Sequence, residues 1–443
     1  MYTNKQIWSV SYPILLSLLA QNVINVTDTA FLGRVSEITL GASAMGGLFY
    51  ICIFTIAFGF STGSQIVIAR RNGEARYGDV GPVMIQGVLF LLVMALLLFG
   101  FTKAFGGNIM RLLVSSESIY DATMEFLDWR IFGFFFSFVN VMFRALYIGI
   151  TRTKVLTINA IVMAIVNVIL DYAMIFGHFG FPEMGIKGAA IGTLISRIAE
   201  LLILLFYVAK MDTKIRLFSS SLFSGSREQV RSFLKVGIPI MITSLLWAVS
   251  VPMQTAILGH LSSDAIAANS VSSTFYQYLK VVVIALSSAS AVMIGNSIGA
   301  GDLKRVRSDA RTLSVIDILI GLILAAILFV CRTPLLSMYR LSNEAMILAD
   351  HFMIIMSVIM VGMSYQMPVS MGIIQSSGDT KFTLRLNLIS TWLIVMPLSF
   401  LAAFVWKWPV ELVVVAVQCD QIFKGLPIFL RFRSYHWIHK LTA

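Results

Sequence analysis

Only 12% of the 443 residues are charged while 58% are hydrophobic, and this scarcity of charge excludes a soluble globular domain, in which roughly a quarter of residues are charged. Cysteine is as sparse: Cys52, Cys331 and Cys419 are odd in number, widely separated and set in or beside apolar runs. Neither a disulfide framework nor a metal motif is expected from them, and they suit small packing positions. The His-Glu-x-x-His zinc signature, the Asp-rich pairs of prenyl transfer and the Gly-x-Gly-Asp of intramembrane aspartyl proteases are missing, which argues against an enzyme and leaves no cofactor to expect. A cleavable leader is missing too. The first apolar run continues past signal length, contains Asn22, Asn25 and Asp28 and has no small-residue cleavage site, so the first helix should be retained.

What is present is apolar sequence in long runs. A helix needs about 20 residues to cross a hydrocarbon core roughly 30 Å thick. Runs of that order fall at 9–33, 41–68, 81–102, 121–148, 155–177 and 188–209, then at 236–259, 265–294, 312–330, 346–374, 383–405 and 410–430. The expectation is an all-α membrane protein with twelve transmembrane helices. An even number puts both termini on one face, and the loops of that face are rich in basic residues such as Arg70, Arg71, Arg76, Lys304, Arg305 and Arg307. The opposite loops hold few, among them Arg34, Lys103 and Arg332. Both termini are therefore expected in the cytoplasm. The formal charge of +11 is accounted for by these loops and the anionic lipid they face, so nucleic acid is not needed as a partner.

Residues 11–44 and 237–270 read as two copies of one segment. Pro13 meets Pro239, Thr29-Ala30 meets Thr255-Ala256, Leu32-Gly33 meets Leu258-Gly259 and Ser36 meets Ser262, at a constant offset of 226 residues. A repeat of half the chain is far longer than a solenoid unit and predicts two pseudo-symmetric six-helix lobes with substrate between them. Six crossings is even, so the repeats should be parallel, related by an axis along the membrane normal. The expected organisation is an N-terminal lobe over 1–209, a cytoplasmic linker over 210–235, a C-terminal lobe over 236–430 and a cytoplasmic tail over 431–443. The SSSLFSGSRE core of the linker suits either a solvated loop or a short interfacial helix.

Inside a membrane an ionisable side chain costs at least about 2.5–3.5 kcal/mol at a helix centre, so each one needs a partner, a cavity or a task. Gln21, Asn25 and Asp28 share a helical stripe, and Asn167 and Asp171, four apart, share another. Both stripes lie in the first copy: the equivalent of Asp28 is Gln254, and that of Asp171 falls in the proline-bearing run VMPLSF. This asymmetry points to a specialised task. Burial disfavours the charged carboxylate, which makes a bound proton or sodium ion exchangeable, and a cation held in one shape and released in another supplies the differential affinity that coupling requires. The plainer alternatives are hydration of Asp28 near the outer interface, beside Arg34, and structural polar glue.

Among other intramembrane charges, Arg197 with Glu200 and Asp420 with Lys424 have the spacing of local pairs, and Arg144 suits snorkelling toward the cytoplasmic loop. Lys280, one turn after Tyr276, lies deep in the eighth run and is a cavity candidate. Asp317 fits either an interfacial position or one facing the partner lobe. Glycine pairs 59/63, 188/192 and 295/299 favour close helix approach, and Pro13 and Pro239, at equivalent positions, are candidate hinges. The 23 Met and 32 Phe residues suit an adaptable apolar cavity for aromatic cations or lipid-facing filler.

Taken together the residues resemble the multidrug and toxic compound extrusion (MATE) family, over essentially the whole chain. TDTAFLG and MQTAILG look like the ends of that family's first and seventh helices. GITRTK (Gly149 to Lys154) and SSGDTK (Ser376 to Lys381) are similar to the turns after its fourth and tenth, and GNSIGAGD (Gly295 to Asp302) resembles the loop after its eighth. The resemblance implies a V-shaped pair of lobes in the bacterial inner membrane and a monomeric export antiporter. It would expel organic cations, drugs or amphipathic compounds in exchange for protons or sodium ions. Within it, Asp28, Asn167 and Asp171, with Asn140 as a further member, look like the amino-lobe cation site of the DinF-like branch, and sodium, if used, would sit at Asp28 and Asp171. Gln21, Asn25, Gln254, Tyr276 and Lys280 are the substrate-cavity candidates. Where the NorM-like branch has an acid in its seventh helix this chain has Trp247, which puts a carboxyl-lobe sodium site in doubt. A lipid-linked oligosaccharide flippase of the same superfamily is the rival reading.

Overall fold

The computed structural model describes residues 3–114, 116–211, 227–339 and 341–438. Most of the expected linker, 212–226, lies outside the described residues, as does the end of the tail, and the interfacial-helix reading falls there. In hydrocarbon every backbone polar group must be satisfied inside its own segment, so each crossing is helical. Among the described residues eleven helices are long and apolar enough to span a bilayer, and a broken pair bent by 54° makes up a twelfth crossing. Side chains such as Leu96, Leu97, Leu202, Phe206, Val330 and Leu393 remain exposed, an arrangement unfavourable in water and neutral in lipid.

The chain divides into two compact units, Tyr12–Met241 and Met1–Ser11 with Ile242–Ala443. Both divisions fall inside a helix, α1 (Asn4–Val35) or α8 (Arg227–Gly259), within a few residues of Pro13 or Pro239. The first unit holds α2 (Glu37–Gly73), α3 (Val80–Leu113), α4 (Glu117–Arg130), α5 (Gly133–Gly149), α6 (Lys154–Phe176) and α7 (Gly185–Met211). α4 and α5 are the broken pair, so the single run expected at 121–148 is interrupted between Arg130 and Gly133. Its core gathers Leu32, Ala42, Met110, Phe126, Ile175 and Ala189. Small residues let backbones meet where lipid supplies no hydrophobic drive. A Cβ on Gly63 would lie 2.6 Å from Gly237 Cα, and one on Gly188 would lie 2.6 Å from the Met174 carbonyl oxygen. One on Gly192 would strike the Asp171 carboxylate.

The second unit holds α9 (Ser263–Gly299), α10 (Leu303–Leu336) and α11 (Asn343–Met367), which continues as a π-helical stretch over Pro368–Ile374. The next crossing alternates α12 (Thr380–Asn387), a π stretch over Leu388–Val395, α13 (Met396–Phe400) and a π stretch over Leu401–Val405. The last contains α14 (Val410–Gln418), α15 (Asp420–Phe423) and α16 (Gly425–Ser434). Proline supplies no N–H to the helical ladder, and Pro368 and Pro397 stand at the first turns after the changes of winding. Trp437, fully buried, stacks on Phe432, donates from Nε1 to the Phe432 carbonyl at 2.9 Å and receives the Ser377 hydroxyl on its own carbonyl.

The repeat is visible in local structure as well as in sequence. Ser36 Oγ accepts the Thr39 N–H at 3.1 Å and Ser262 Oγ accepts the Ala265 N–H at 3.0 Å, so equivalent serines cap α2 and α9. The two loop motifs share a left-handed residue: Gly378 has φ 101° and Thr151, aligned with it, has φ 60°. A β-branched residue is strained there, at a cost of roughly 1–2 kcal/mol that glycine avoids. Thr151→Gly is therefore expected to raise stability by about 1 kcal/mol after its own entropy cost. A lowered midpoint of thermal unfolding in detergent would contradict this.

Candidate coupling site

Asp171 and Asn167 project from α6 into the first unit and are both 0% exposed. The Asp171 carboxyl adjoins Asp28 of α1 and Asn167, yet no pair among them attains hydrogen-bond geometry. Both Asp171 oxygens, both polar atoms of the Asn167 amide and Asp28 Oδ1 are buried without a partner. Asp171 and Asn167 are thus enclosed with their acceptors unused beside the buried Oδ1 of half-buried Asp28, a donor set of hard oxygens suited to a proton or a small monovalent cation. Gly192 on α7 forms the wall behind Asp171 and leaves no space for even a methyl group.

Arg130 also belongs to this enclosure, and the run-by-run reading of the sequence passed over it. It ends α4 at the break, with Tyr50, Asp28, Asp171 and Arg197 as its electrostatic neighbours. Its guanidinium lies 4.7 Å from the Tyr50 ring centroid and 5.7 Å from that of Phe126. Tyr50 is fixed by a 2.9 Å hydrogen bond with Ser137 and by stacking on Phe134, and Gly133 admits its hydroxyl at the break. The available signal was a lone arginine inside LDWRIFGFFFS, followed by the glycine at which the helix turns.

Asn140 joins a neighbouring cluster. Its Nδ2 donates to Glu200 Oε2 at 2.8 Å and to the Arg197 carbonyl at 3.0 Å. Arg197 Nη1 pairs with Glu200 Oε2 at 3.0 Å and also reaches the Met163 sulfur at 3.4 Å, while Asn159 Nδ2 donates to Glu200 Oε1 at 3.4 Å. The local pair expected from spacing is therefore present, buttressed by two amides. Arg144 differs from expectation: instead of snorkelling it faces the Phe58 ring at 5.8 Å, with Nη2 buried and Glu200 as its electrostatic neighbour.

On α1, Gln21 is half-buried and Asn25 exposed. In the second unit Gln254 is half-buried, Tyr276 Oη donates to the Met363 sulfur at 2.9 Å, and Lys280 Nζ lies 5.0 Å from the Trp247 ring centroid. Tyr276 and Lys280 both have Asp420 as an electrostatic neighbour. Asp420 is already satisfied, 2.6 Å from Lys424 Nζ, which also donates to Asn387 at 2.9 Å. Gln421 donates to Asp420 at 3.0 Å and accepts from Gln366 at 2.7 Å. Asp317 is buried within the protein and not solvated. It is 1% exposed with Oδ2 unpartnered, one turn before Gly321, which packs on Ser364. Among the described residues there is no cluster of His, Cys, Asp and Glu that could hold a structural metal, and no disulfide joins the three cysteines.

A membrane-spanning helical chain built from two repeats, with carboxylates enclosed in one of them, has the construction common among secondary transporters. The MatE family model matches residues 13–173 and again 239–401, and the chain belongs to that family. The two matches coincide with the two copies of the repeat. Curated relatives include the "Probable multidrug resistance protein NorM" of Bacillus cereus, 25% identical over 91% of this chain and 89% of the relative, and that of Pasteurella multocida, 21% identical over 90% and 86%. Among solved structures, a MOP superfamily transporter from Pyrococcus furiosus superposes with a TM-score of 0.89 over 97% of this chain and 95% of that one, at 17% identity. The eukaryotic MATE transporter AtDTX14 gives 0.87 over 98% and 96%, at 19% identity. At such identities the likeness speaks for the fold.

Proposed function

We propose that this multi-pass membrane transporter is an export antiporter. It expels organic compounds of cationic or amphipathic character in exchange for inward protons or sodium ions bound at Asp28 and Asp171. The observation that carries this reading is the enclosure itself. Asp171, the Asn167 amide and Asp28 Oδ1 are buried without partners and adjoin one another in the first unit, whereas in the second unit Asp420 is neutralised by Lys424 and Asp317 has only Oδ2 unpartnered. A paired acid is a structural element; an unpaired one is free to exchange a cation, and a cation bound in one shape and released in another drives the change of shape. Pro13 and Pro239 are the hinges of this reading, which the division of the chain beside both of them supports. Thr157 Oγ1 donates to the Pro13 carbonyl at 2.9 Å. We assign substrate contact to Gln21, Asn25, Gln254, Tyr276 and Lys280, with the chain acting as a monomer in the bacterial inner membrane and both termini cytoplasmic.

The test is efflux of a panel of organic cations from proteoliposomes, with a pH gradient and a sodium gradient imposed separately. One gradient should accelerate efflux well beyond the ungated leak. Failure of both, with translocation of a lipid-linked saccharide instead, would favour the flippase.

A further inference from the structure

Within the first unit the charges of the enclosure do not balance, and the imbalance has a definite size. Asp28 from α1 and Asp171 from α6 carry two negative charges when ionised, and the guanidinium of Arg130 from α4, which has both as electrostatic neighbours, carries one positive charge. Arg197 and Glu200 from α7 cancel each other in their 3.0 Å pair, and Arg144, which also neighbours Glu200, is not among the electrostatic neighbours of Asp171 or Arg130. The remainder is a single negative charge. The Arg130 guanidinium lies over aromatic rings, at 4.7 Å from the Tyr50 centroid and 5.7 Å from that of Phe126. Nε and Nη1 are buried and unpartnered, as are the oxygens of Asp171. An isolated charge in a low-dielectric interior is far costlier than a balanced set, so the enclosure is populated when its net charge is zero.

We infer that Arg130 is a resident counter-cation that limits the Asp28–Asp171 pair to one exchangeable monovalent cation per transport cycle. This rests on the coupling-site reading above and adds what that reading leaves open, the number of cations carried. Two neighbouring carboxylates without the arginine would need two cations to reach neutrality. With it they need one, and when that cation leaves, the guanidinium is, among the described residues, the positive group that neighbours both carboxylates and has no acid of its own. The location of Arg130 at the break between α4 and α5 couples that electrostatic change to the joint of a bent crossing.

The experiment counts cations on the purified full-length chain in detergent, as proton uptake in a pH-stat together with equilibrium binding of radioactive sodium. The quantity read is the difference between a protein and its counterpart carrying both Asp28→Asn and Asp171→Asn. Wild type is expected to lose one cation in that comparison, Arg130→Lys one, and Arg130→Gln two. A difference of two in wild type, or of one in folded Arg130→Gln, overturns the inference. A difference of zero in wild type overturns the coupling site itself, so the two failures are distinct. Should Arg130→Gln not fold, the wild-type and Arg130→Lys counts decide the matter alone.

Discussion

Asp28→Asn and Asp171→Asn, made singly, should each reduce ion-driven efflux to the leak of protein-free liposomes while leaving the thermal unfolding midpoint unchanged or raised. The substitution preserves shape and removes only the ionisable oxygen. Moving a two-state equilibrium from 1:99 to 99:1 takes about 5.5 kcal/mol of differential affinity, and an amide lacks the charge that provides it. Stability should not fall, because neither carboxylate has a hydrogen-bonded partner to lose at Asp171 or at Asp28 Oδ1, and a neutral amide costs less to bury than a carboxylate. Loss of transport with retained or improved stability is the signature of a group kept for function. Full ion-driven transport in both variants would refute the assignment. Loss of folding in both would make the acids structural.

Glu200→Ala is expected to behave in the opposite way, destabilising the chain by about 3–5 kcal/mol, the cost of stripping one partner from a buried ion pair. Glu200 is 8% exposed and receives three donors from side chains: Arg197 at 3.0 Å, Asn140 at 2.8 Å and Asn159 at 3.4 Å. Its removal leaves the Arg197 guanidinium with the Met163 sulfur, leaves Asn140 with only the Arg197 carbonyl and takes the acceptor from Asn159. The double change Arg197→Met with Glu200→Leu removes both charges and should recover most of the loss, since replacing a buried pair with apolar groups of like volume is often neutral. Thermal unfolding of the two singles and the double measures the coupling. Equal losses in Glu200→Ala and in the double would show that the pair contributes packing and not electrostatics.

These two clusters lie in the same unit and were unequally legible in the sequence. The stripes Gln21–Asn25–Asp28 and Asn167–Asp171 could be found because polarity is conspicuous in an apolar run and helical periodicity says which positions share a face. The Arg197–Glu200 and Asp420–Lys424 pairs were readable for the same reason, being three and four residues apart. Asn140 and Asn159 could not be placed on Glu200 from spacing, since they reach it from α5 and α6 across 60 and 41 residues. Arg130 stood within a run expected to continue unbroken, and its meaning depends on a bend that Gly133 permits but no local pattern specifies.

Twelve apolar runs, the half-length repeat and the confinement of Asp28 and Asp171 to one copy were determined by the amino-acid sequence alone. Hydropathy and repetition are sums over neighbouring residues, and a bilayer leaves helices as the one open solution for such runs. The tertiary structure alone decided which polar groups share an enclosure, that α4 breaks before α5 and that Arg130 stands among the acids. Those outcomes follow from the rotation of each helix about its own axis. That rotation is set by close contacts such as Gly188 on Met174 and Gly192 on Asp171, between side chains and backbones distant along the chain.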